Sequence, residues 1–174
     1  MTDMHVHSHW SDGEYSPHEL VRAAKEKGLS GLALTDHDTL AGLLELEQEG
    51  KEQGLPVYGG IEISCVQQNG RQLHLLGFDI PQSGRAMVEA FCRPIRMSRN
   101  QAVRNSIRAL CAAGYPVSED LICVLAGPNG DLYKQYVMQR LLEVGLCSEL
   151  YGALYRKLFK KQKDGTPGIA ALSF

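Results

Sequence analysis

The strongest constraint on the fold is an alternation of strand-like and helix-like segments that begins at the N-terminus. Between two strand-like runs, MHVH and LSGLALTD, lies SPHELVRAAKEKG, which has the sequence signals of a capped helix. Ser16 is placed to be the N-cap, Pro17 to begin the helix and Glu19 to complete a capping box. Gly28 is placed to end the helix. The chain is therefore predicted to begin with a strand, a helix and a second strand.

The same alternation continues with a second helix, TLAGLLELEQEGKEQG, and a third strand, PVYGGIEISC. This order favours parallel strands joined by crossover helices, and hence an α/β fold. QLHLLGFDI follows a turn at QNG and predicts a fourth strand in a hairpin with the third. In such folds, functional groups gather at the C-terminal ends of the strands. His7, Asp36 with His37, and Glu62 come at or near those ends, so we expect them to meet on one rim.

The second half of the sequence has a different character. From about Gly84 to Lys161 its patterns are helical, with a break predicted at Pro94. The tail, DGTPGIAALSF, begins as a turn and ends apolar. We therefore divide the sequence into residues 1–83 with the strands, residues 84–163 as a helical segment, and residues 164–174 as a tail.

Composition and charge narrow the classes of protein. The 44% hydrophobic and 22% charged content is that of a globular chain. A net charge of −2 and a pI near 6.3 argue against an extended nucleic-acid footprint, while leaving room for a local basic patch. Two charge-rich runs, ELEQEG and RKLFKKQKDG, are predicted to be solvated helix faces. The five cysteines include no CxxC pair and are expected to be reduced thiols.

The N-terminus enters a histidine cluster without a basic region and an apolar run, so we expect no signal peptide. No apolar stretch approaches the roughly 18–20 residues of a membrane span. These features predict a cytoplasmic location and no membrane association.

The histidine cluster indicates chemistry. His5, His7 and His9 alternate, so a strand that ran that far would place all three side chains on one face. Imidazoles and carboxylates bind zinc, manganese or iron, and His-x-His delivers two nitrogens to one ion. The alternative, in which these histidines are only polar residues at a strand end, stays open. His9 is the weakest candidate of the three.

Further candidates lie at the predicted rim. Asp12 is in a turn that ends in glycine, His37 is in TDHD, and Glu62 follows YGGI. His74 faces inward on an otherwise apolar predicted strand. His18 is predicted to lie on the surface of the first helix. Each additional imidazole or carboxylate at the rim strengthens the case for a metal site.

Four motifs, DMHVHSHWSDG, LALTDHDT, GGIEIS and LHLLGFD, resemble the N-terminal motifs of the PHP (polymerase and histidinol phosphatase) superfamily in order and spacing. The bacterial branch of small metal-dependent phosphoesterases, which includes enzymes acting on nucleoside 3',5'-bisphosphates, is the most similar. The motifs cover roughly residues 1–80, and the helical segment is similar to the insertion that this branch carries. The resemblance implies the N-terminal part of a distorted (βα)7 barrel, followed by a helical insertion, with the C-terminal barrel half absent.

The resemblance also implies a cluster of two or three divalent ions of manganese, zinc or iron. It assigns the ligands as His5, His7, Asp12, His37, Glu62 and His74, with Glu62 bridging two ions. Asp12, His37 and Glu62 are the implied catalytic residues.

Supporting residues follow from the same resemblance. Asp3 and Asp38 would orient imidazoles by hydrogen bonding. Arg96 and Arg99 would contact a substrate phosphate, although a solvated helix face is the alternative for both. Where the branch has an Arg-Pro-His run, this chain has KQY at residues 134–136.

The activity implied by the resemblance is hydrolysis of a phosphomonoester, with a nucleotide as substrate, by a metal-activated hydroxide. Histidinol phosphate and an oligonucleotide end stay open as substrates. The His-Pro and Asp-x-His motifs of the later barrel strands are missing from the sequence. The alternatives are therefore a catalytically incomplete metal-binding or regulatory PHP module and a remnant without metal. An exposed sheet edge would favour a homo-oligomer.

Overall fold

The computed structural model describes residues 1–171. In chain order its elements are β1 (Thr2–Val6), α1 (Pro17–Glu26), β2 (Gly31–Leu34), α2 (Leu43–Gln53), β3 (Val57–Val66), β4 (Gln72–Phe78), α3 (Gln82–Ala112), α4 (Glu119–Cys123), α5 (Lys134–Glu143) and α6 (Ala153–Phe159). None of the helices in this described range has the length and apolarity needed to cross a bilayer. Residues 172–174 of the predicted tail lie outside the described residues.

The four strands form one sheet in the order β1-β2-β3-β4. β1, β2 and β3 are parallel, with Leu32 of β2 paired to Asp3 on one side and Val57 on the other. β3 and β4 form an antiparallel hairpin from the Gly60 and Phe78 pair outward. The α/β fold and the hairpin predicted from the sequence are confirmed. The capping box is confirmed as well: Ser16 and Glu19 bond reciprocally at the start of α1.

The described chain divides into two compact units. The sheet unit comprises Met1–Arg96 with Gly127–Asn129, and the helical unit comprises Met97–Ala126 with the chain from Gly130 onward. The boundary between Arg96 and Met97 falls inside α3. The three segments predicted from the sequence stay a prediction.

The core of the sheet unit is built around β2. All four residues of β2 are buried, because it is the only one of the first three strands that has a parallel neighbour on each side. Val21 of α1 and Leu46 of α2 are fully buried in the same core. Complete burial of such a side chain contributes about 1.5–3 kcal/mol. The backbone that leaves β2 at Leu34 is therefore firmly placed.

The helical unit has its own core. Val103, Ile107 and Leu110 of α3 follow the spacing of one helix face, and all are buried. Val137 of α5 and Leu158 of α6 belong to the same cluster. Because each helix contributes an apolar stripe to this cluster, the unit does not depend on a sheet.

The predicted break at Pro94 is wrong, because α3 continues through it from Gln82 to Ala112. Proline lacks an N–H and removes one helical hydrogen bond. Cys92 before it and Val103 after it are both buried, so packing on both sides of Pro94 offsets that loss.

The run ELEQEG is not a uniformly solvated face, because its Glu49 is only 1% exposed. Nε of Arg22 donates to Glu49 at 2.9 Å, and Nδ1 of His18 lies 2.7 Å from the same carboxylate. Gln53 donates to it as well, at 2.9 Å. Hydrogen bonds from Arg22 and then His18 lower the pKa of Glu49 from 4.5 to about 2, although burial opposes them. His18 is thus half-buried in an ion-pair cluster between α1 and α2.

We expect Glu49 to make the stability of the protein depend on pH. Its pKa is lower in the folded state, so its ionised form stabilises the fold above the unfolded pKa of 4.5. That contribution should be lost progressively as the pH falls from 4.5 to about 2. The measurement is the urea midpoint of the wild-type chain and of Glu49→Gln across this range. The two midpoints should differ above the window and converge within it, whereas a constant difference would contradict the assignment.

Candidate metal centre

The parallel pairing brings the predicted site residues to one edge. β1 ends at Val6, so His7 follows its C-terminal end, and His37 follows the end of β2. The backbone next to His37 then pairs with β3: the Glu62 N–H donates to the Asp36 carbonyl at 3.0 Å, and Glu62 accepts from the Asp38 N–H at 2.9 Å. Glu62 itself lies in the middle of β3, because the hairpin carries that strand on to Val66. The strand is close to the one predicted, with Glu62 four residues before its end, and the residue meets His37 as expected.

The Glu62 carboxylate is the centre of the cluster, and four imidazoles surround it. Its Oε2 lies 2.6 Å from Nε2 of His5, 3.0 Å from Nε2 of His7 and 3.9 Å from Nδ1 of His37. Its Oε1 contacts Nδ1 of His74. Glu62 is 5% exposed, whereas the side chains of His5 and His74 are each 47% exposed. The cluster thus has a buried carboxylate and a half-exposed rim.

Asp12 supplies a second carboxylate on the other side of two of these imidazoles. Its Oδ1 lies 3.5 Å from Nδ1 of His7, and its Oδ2 lies 3.8 Å from Nε2 of His37. The rings of His7 and His37 are stacked, with centroids 4.5 Å apart. Both rings therefore present one nitrogen towards each carboxylate.

Within residues 1–171, three overlapping groups place their ligand atoms within 4.8 Å of one another. The groups are His5, His7 and Glu62; His7, Asp12 and His37; and His37, Glu62 and His74. His7, His37 and Glu62 each belong to two groups. All six ligands predicted from the resemblance are thus together, and their sharing is the geometry expected of neighbouring ions in one cluster.

The donor set fits a divalent metal. Nδ1 of His7 is buried and has no hydrogen-bond partner among the described residues. A buried ring nitrogen without a partner is costly unless it binds something else, and this one faces the Asp12 carboxylate. Burial raises the pKa of Glu62, but the His5 hydrogen bond and the charges of His37 and His7 outweigh burial and lower the pKa overall. Ionised carboxylate and imidazole together are a ligand set for zinc, manganese or iron.

The loop that carries Asp12 is fixed by backbone contacts. The Ser8 carbonyl accepts from the N–H groups of Ser11 and Gly13, both at 3.0 Å. A Cβ on Gly13 would lie 2.2 Å from the His7 carbonyl oxygen, so only glycine allows the chain to pass so close. The turn ending in glycine therefore sets the position of Asp12.

Asp36 anchors the same loop from the end of β2, a role that the sequence analysis missed. It is 1% exposed and accepts bonds from Ser8 N at 2.7 Å, Ser8 Oγ at 2.6 Å and Ser11 Oγ at 2.5 Å. Burial raises the pKa of Asp36, against the opposing effect of the Ser11 and Ser8 bonds. The available signal was an acidic residue directly after a fully apolar strand.

The carboxylates of Asp3 and Asp38 accept hydrogen bonds from backbone N–H groups. Asp3 accepts from the His5 N–H at 3.2 Å. Asp38, which has a positive φ of 56°, accepts from Ser64 N at 2.7 Å and from Ser64 Oγ at 2.9 Å. These bonds hold the strands and loops that carry the histidines. The predicted orientation of imidazoles by the two aspartates stays a prediction.

Glu89 on α3 ties down the loop after His37, and no sequence signal identified it. Its Oε1 accepts from Thr39 Oγ1 at 2.8 Å and from Leu40 N at 2.5 Å, and its Oε2 accepts from Arg96 at 2.7 Å. Arg96 also donates to the Asp38 carbonyl at 2.9 Å. Because these bonds hold Thr39 and Leu40 in a turn, α2 begins at Leu43, and the predicted helix start at Thr39 is wrong.

Arg99 and His9, like Asp3, Asp38 and Arg96, lie outside the three ligand groups. Arg99 belongs to the helical unit, where it is 7% exposed and donates to the Tyr133 hydroxyl at 2.9 Å. The alternative of a solvated helix face is therefore wrong for Arg99, and its contact with a substrate phosphate stays a prediction. His9 lies beyond the end of β1, and its N–H donates to the Tyr15 carbonyl at 2.8 Å.

We expect Gly13→Ala to destabilise the protein by about 1–3 kcal/mol, because backbone atoms of His7 block the new methyl group. The measurement is the thermal midpoint, followed by metal binding at a temperature where the variant is folded. Gly84→Ala is the matched control: its Cβ meets nothing closer than 3.7 Å near the start of α3, so the midpoint should stay or rise. Equal midpoints for both variants would contradict the role of Gly13.

The sequence matches the PHP domain family over residues 3–162. It is 35% identical over 159 residues to a phosphoribosyl 1,2-cyclic phosphate 1,2-diphosphodiesterase of Eggerthella lenta, covering 91% of this chain and 60% of the relative. It is 34% identical over 146 residues to a 5'-3' exoribonuclease of Haemophilus influenzae, covering 84% of this chain and 52% of the relative.

A solved structure agrees with these similarities. A Bifidobacterium adolescentis protein described as a metal-dependent phosphoesterase superposes with a TM-score of 0.83 at 25% identity, covering 96% of this chain and 58% of that chain. The chain thus spans little more than half the length of the proteins that it matches. Since the family match extends over nearly the whole sequence, and the fold agrees, the chain belongs to the PHP domain family.

Proposed function

We propose that the cluster holds two or three divalent ions and serves a phosphoesterase that hydrolyses a phosphomonoester of a nucleotide. The observation that carries this proposal is the buried Glu62 carboxylate, which belongs to two of the three ligand groups. A carboxylate shared in this way can bridge two ions. Manganese, zinc and iron all suit this set of nitrogen and oxygen ligands.

The proposed roles follow the contacts. His5 and His7 bind one ion, with Glu62 bridging to a second. Asp12 and His37 bind another, and the half-exposed His74 completes a position beside Glu62. When bound, such ions offset the negative charge of a phosphate and lower the pKa of water that they coordinate. The half-exposed His5 and His74 leave one side of the cluster open to a substrate.

The substrate class is inferred from what the relatives share. The Eggerthella relative is named for a phosphoribosyl cyclic phosphate and the Haemophilus relative for RNA, and both contain a phosphorylated ribose. A ribose-linked phosphate is therefore the proposed substrate group. Arg96 is the proposed phosphate contact, because it belongs to the unit that carries the cluster.

We place the reaction in the cytoplasm. All five cysteines are free thiols, which is usual in a reducing compartment. Cys92 is buried, and burial followed by the charge of Glu89 raises the pKa of its thiol to about 11. That residue is accordingly a structural thiol and not a reactive one.

The metal proposal predicts two or three ions per chain by elemental analysis of protein purified without a chelator or a histidine tag. His7→Ala should lose at least one ion, because His7 belongs to two ligand groups. His18→Ala is the matched control, since His18 pairs with Glu45 and Glu49 away from these groups. Background metal in the wild-type chain would contradict the proposal and favour a remnant without metal.

The activity is tested separately, on a nucleoside 3',5'-bisphosphate with manganese or zinc added. Release of phosphate that His7→Ala abolishes and His18→Ala retains is the expected result. Full metal occupancy without phosphate release would instead favour the metal-binding or regulatory module. The two assays thus distinguish binding from catalysis.

We also propose a homodimer through the outer edge of β4. Within the described residues β4 pairs with β3 alone, and side chains on both of its faces are exposed, including Leu75 at 61% and Phe78 at 40%. An open apolar edge strand tends to pair with another strand, and antiparallel pairing with its own copy closes into a two-fold dimer.

Sedimentation velocity is the test of the dimer. The wild-type chain should sediment as a dimer, and Leu75→Lys should shift it to a monomer. Tyr15→Lys is the matched control, because Tyr15 is 52% exposed but belongs to no strand. A monodisperse wild-type monomer would overturn the proposal.

A further inference from the structure

Charge is divided unevenly between the two units. The sheet unit contains eight Lys and Arg residues and fourteen Asp and Glu residues, a formal charge of −6. The helical unit contains ten Lys and Arg residues and six Asp and Glu residues, a formal charge of +4. The two units together give the net charge of −2 of the chain. The mild overall charge thus conceals a basic helical unit. Such a unit attracts polyanions even though the whole chain does not.

Much of this positive charge lies in and just after α6. Together with Lys134 at the start of α5, these residues form what we call the basic patch. It consists of Lys134, Arg156, Lys157, Lys160, Lys161 and Lys163. All except the half-buried Lys134 are exposed. Nζ of Lys134 and Nζ of Lys160 each lie 5.7 Å from the centre of the Tyr155 ring, so Lys134 joins the others across that ring.

The segment after α6 is held against the end of the helix. Nε2 of Gln162 donates to the carbonyls of Arg156, Lys157 and Lys160 at 3.2, 3.1 and 2.9 Å. Its backbone N–H also donates to the Thr166 carbonyl at 2.7 Å. The backbone that carries the lysines on either side of Gln162 is therefore ordered before any ligand binds. Such preorganisation reduces the entropy cost of binding.

Two carboxylates lie near the patch: Glu149, which lines a cavity together with Lys157, and Asp164, which follows Lys163. Asp164 is the nearest in sequence, and it accepts from the N–H and the hydroxyl of Thr166 at 2.9 and 2.7 Å. No ion pair involving residues 1–171 joins a cation of the patch to a carboxylate. Cations in the last turn of a helix offset its dipole, which accounts for Arg156 and Lys157. The helix dipole does not account for the remaining three lysines that follow the helix, which are Lys160, Lys161 and Lys163.

An exposed aromatic side chain lies next to the same ring. Tyr151 is 54% exposed and packs edge-on against Tyr155, with ring centroids 5.1 Å apart. Cations that follow a phosphate backbone, combined with an exposed aromatic face for a base, are the common features of single-strand binding surfaces. An anionic lipid surface would need the cations but not the aromatic face.

We propose that the basic patch binds the sugar-phosphate backbone of single-stranded RNA, with Tyr151 stacking on a base. Resting on the function proposed above, this adds an RNA-binding surface in the helical unit, while the nucleotide substrate of the cluster is tested by the separate activity assay. The binding itself needs no metal. It is local, involving six cations, and is compatible with a chain whose overall charge is negative.

The test is fluorescence anisotropy of a labelled oligouridylate of about ten nucleotides with the full chain in EDTA. Lys160→Gln, Lys161→Gln and Lys163→Gln together should weaken binding at least about tenfold at 50 mM salt and reduce the slope of log K against log salt by about 2. Tyr151→Ala should weaken binding while leaving that slope unchanged. Lys160, Lys161 and Lys163 are all exposed, so the thermal midpoint of the triple variant should match that of the wild-type chain.

The matched control removes three exposed cations from the sheet unit, with Lys27→Gln, Lys51→Gln and Arg71→Gln. It has the same net charge as the triple patch variant, and its binding should change less than about twofold. Equal weakening by both triple variants would overturn the proposal, because net charge alone would then explain the binding.

Three other results would also overturn it: no binding by the wild-type chain at low salt, equal binding of adenosine 3',5'-bisphosphate, or equal binding of phosphatidylserine vesicles. Since the assay contains EDTA, its outcome is independent of the metal and activity assays. RNA binding without phosphate release would reject the catalytic proposal alone, and phosphate release without RNA binding would reject the patch alone.

Discussion

The cluster of histidines and carboxylates depends on one buried carboxylate. Glu62 is 5% exposed, yet its two oxygens contact four imidazoles that come from three separate parts of the chain. An ionised carboxylate is expensive to bury without partners, so its position requires the imidazoles and also orders them. Backbone hydrogen bonds between Glu62 and the residues around His37 hold the carboxylate and that imidazole at a fixed relative position.

Acidic residues beyond the ligands keep that geometry in place. Asp36 fixes the loop of Asp12 through Ser8 and Ser11, and Glu89 fixes the turn after His37 from α3. Neither carboxylate lies in one of the three ligand groups. His7 and His37 lie on loops and would otherwise lose their alignment, because loops are the most mobile connections of a fold. In the sheet unit, the Glu62 carboxylate therefore contacts the imidazoles, while Asp36 and Glu89 position the loops.

Local signals in the sequence were sufficient for much of the fold. The capping box at Ser16, the turn between β3 and β4, and the alternation of strands and helices each depend on residues close together in the chain. The break predicted at Pro94 was wrong because proline does remove a helical hydrogen bond locally, while the packing that offsets this loss comes from distant residues. The solvated face predicted for the run that contains Glu49 was wrong for the same reason. A run of charges in the sequence does not reveal that one of them is buried between two helices.

Periodicity, caps and side-chain identity are local properties, so they predict the order of the elements and the types of side chain in the cluster. Which atoms meet depends on the three-dimensional packing of the chain. Asp36 bonds to Ser8 across 28 residues and Glu89 to Thr39 across 50, and neither pair has any pattern in the sequence. Likewise, Glu62 lies in mid-strand and still meets His37, because pairing between strands and not position along one strand sets the distance. Contacts of this kind arise from the packing of the whole unit around the buried β2, which no local stretch encodes.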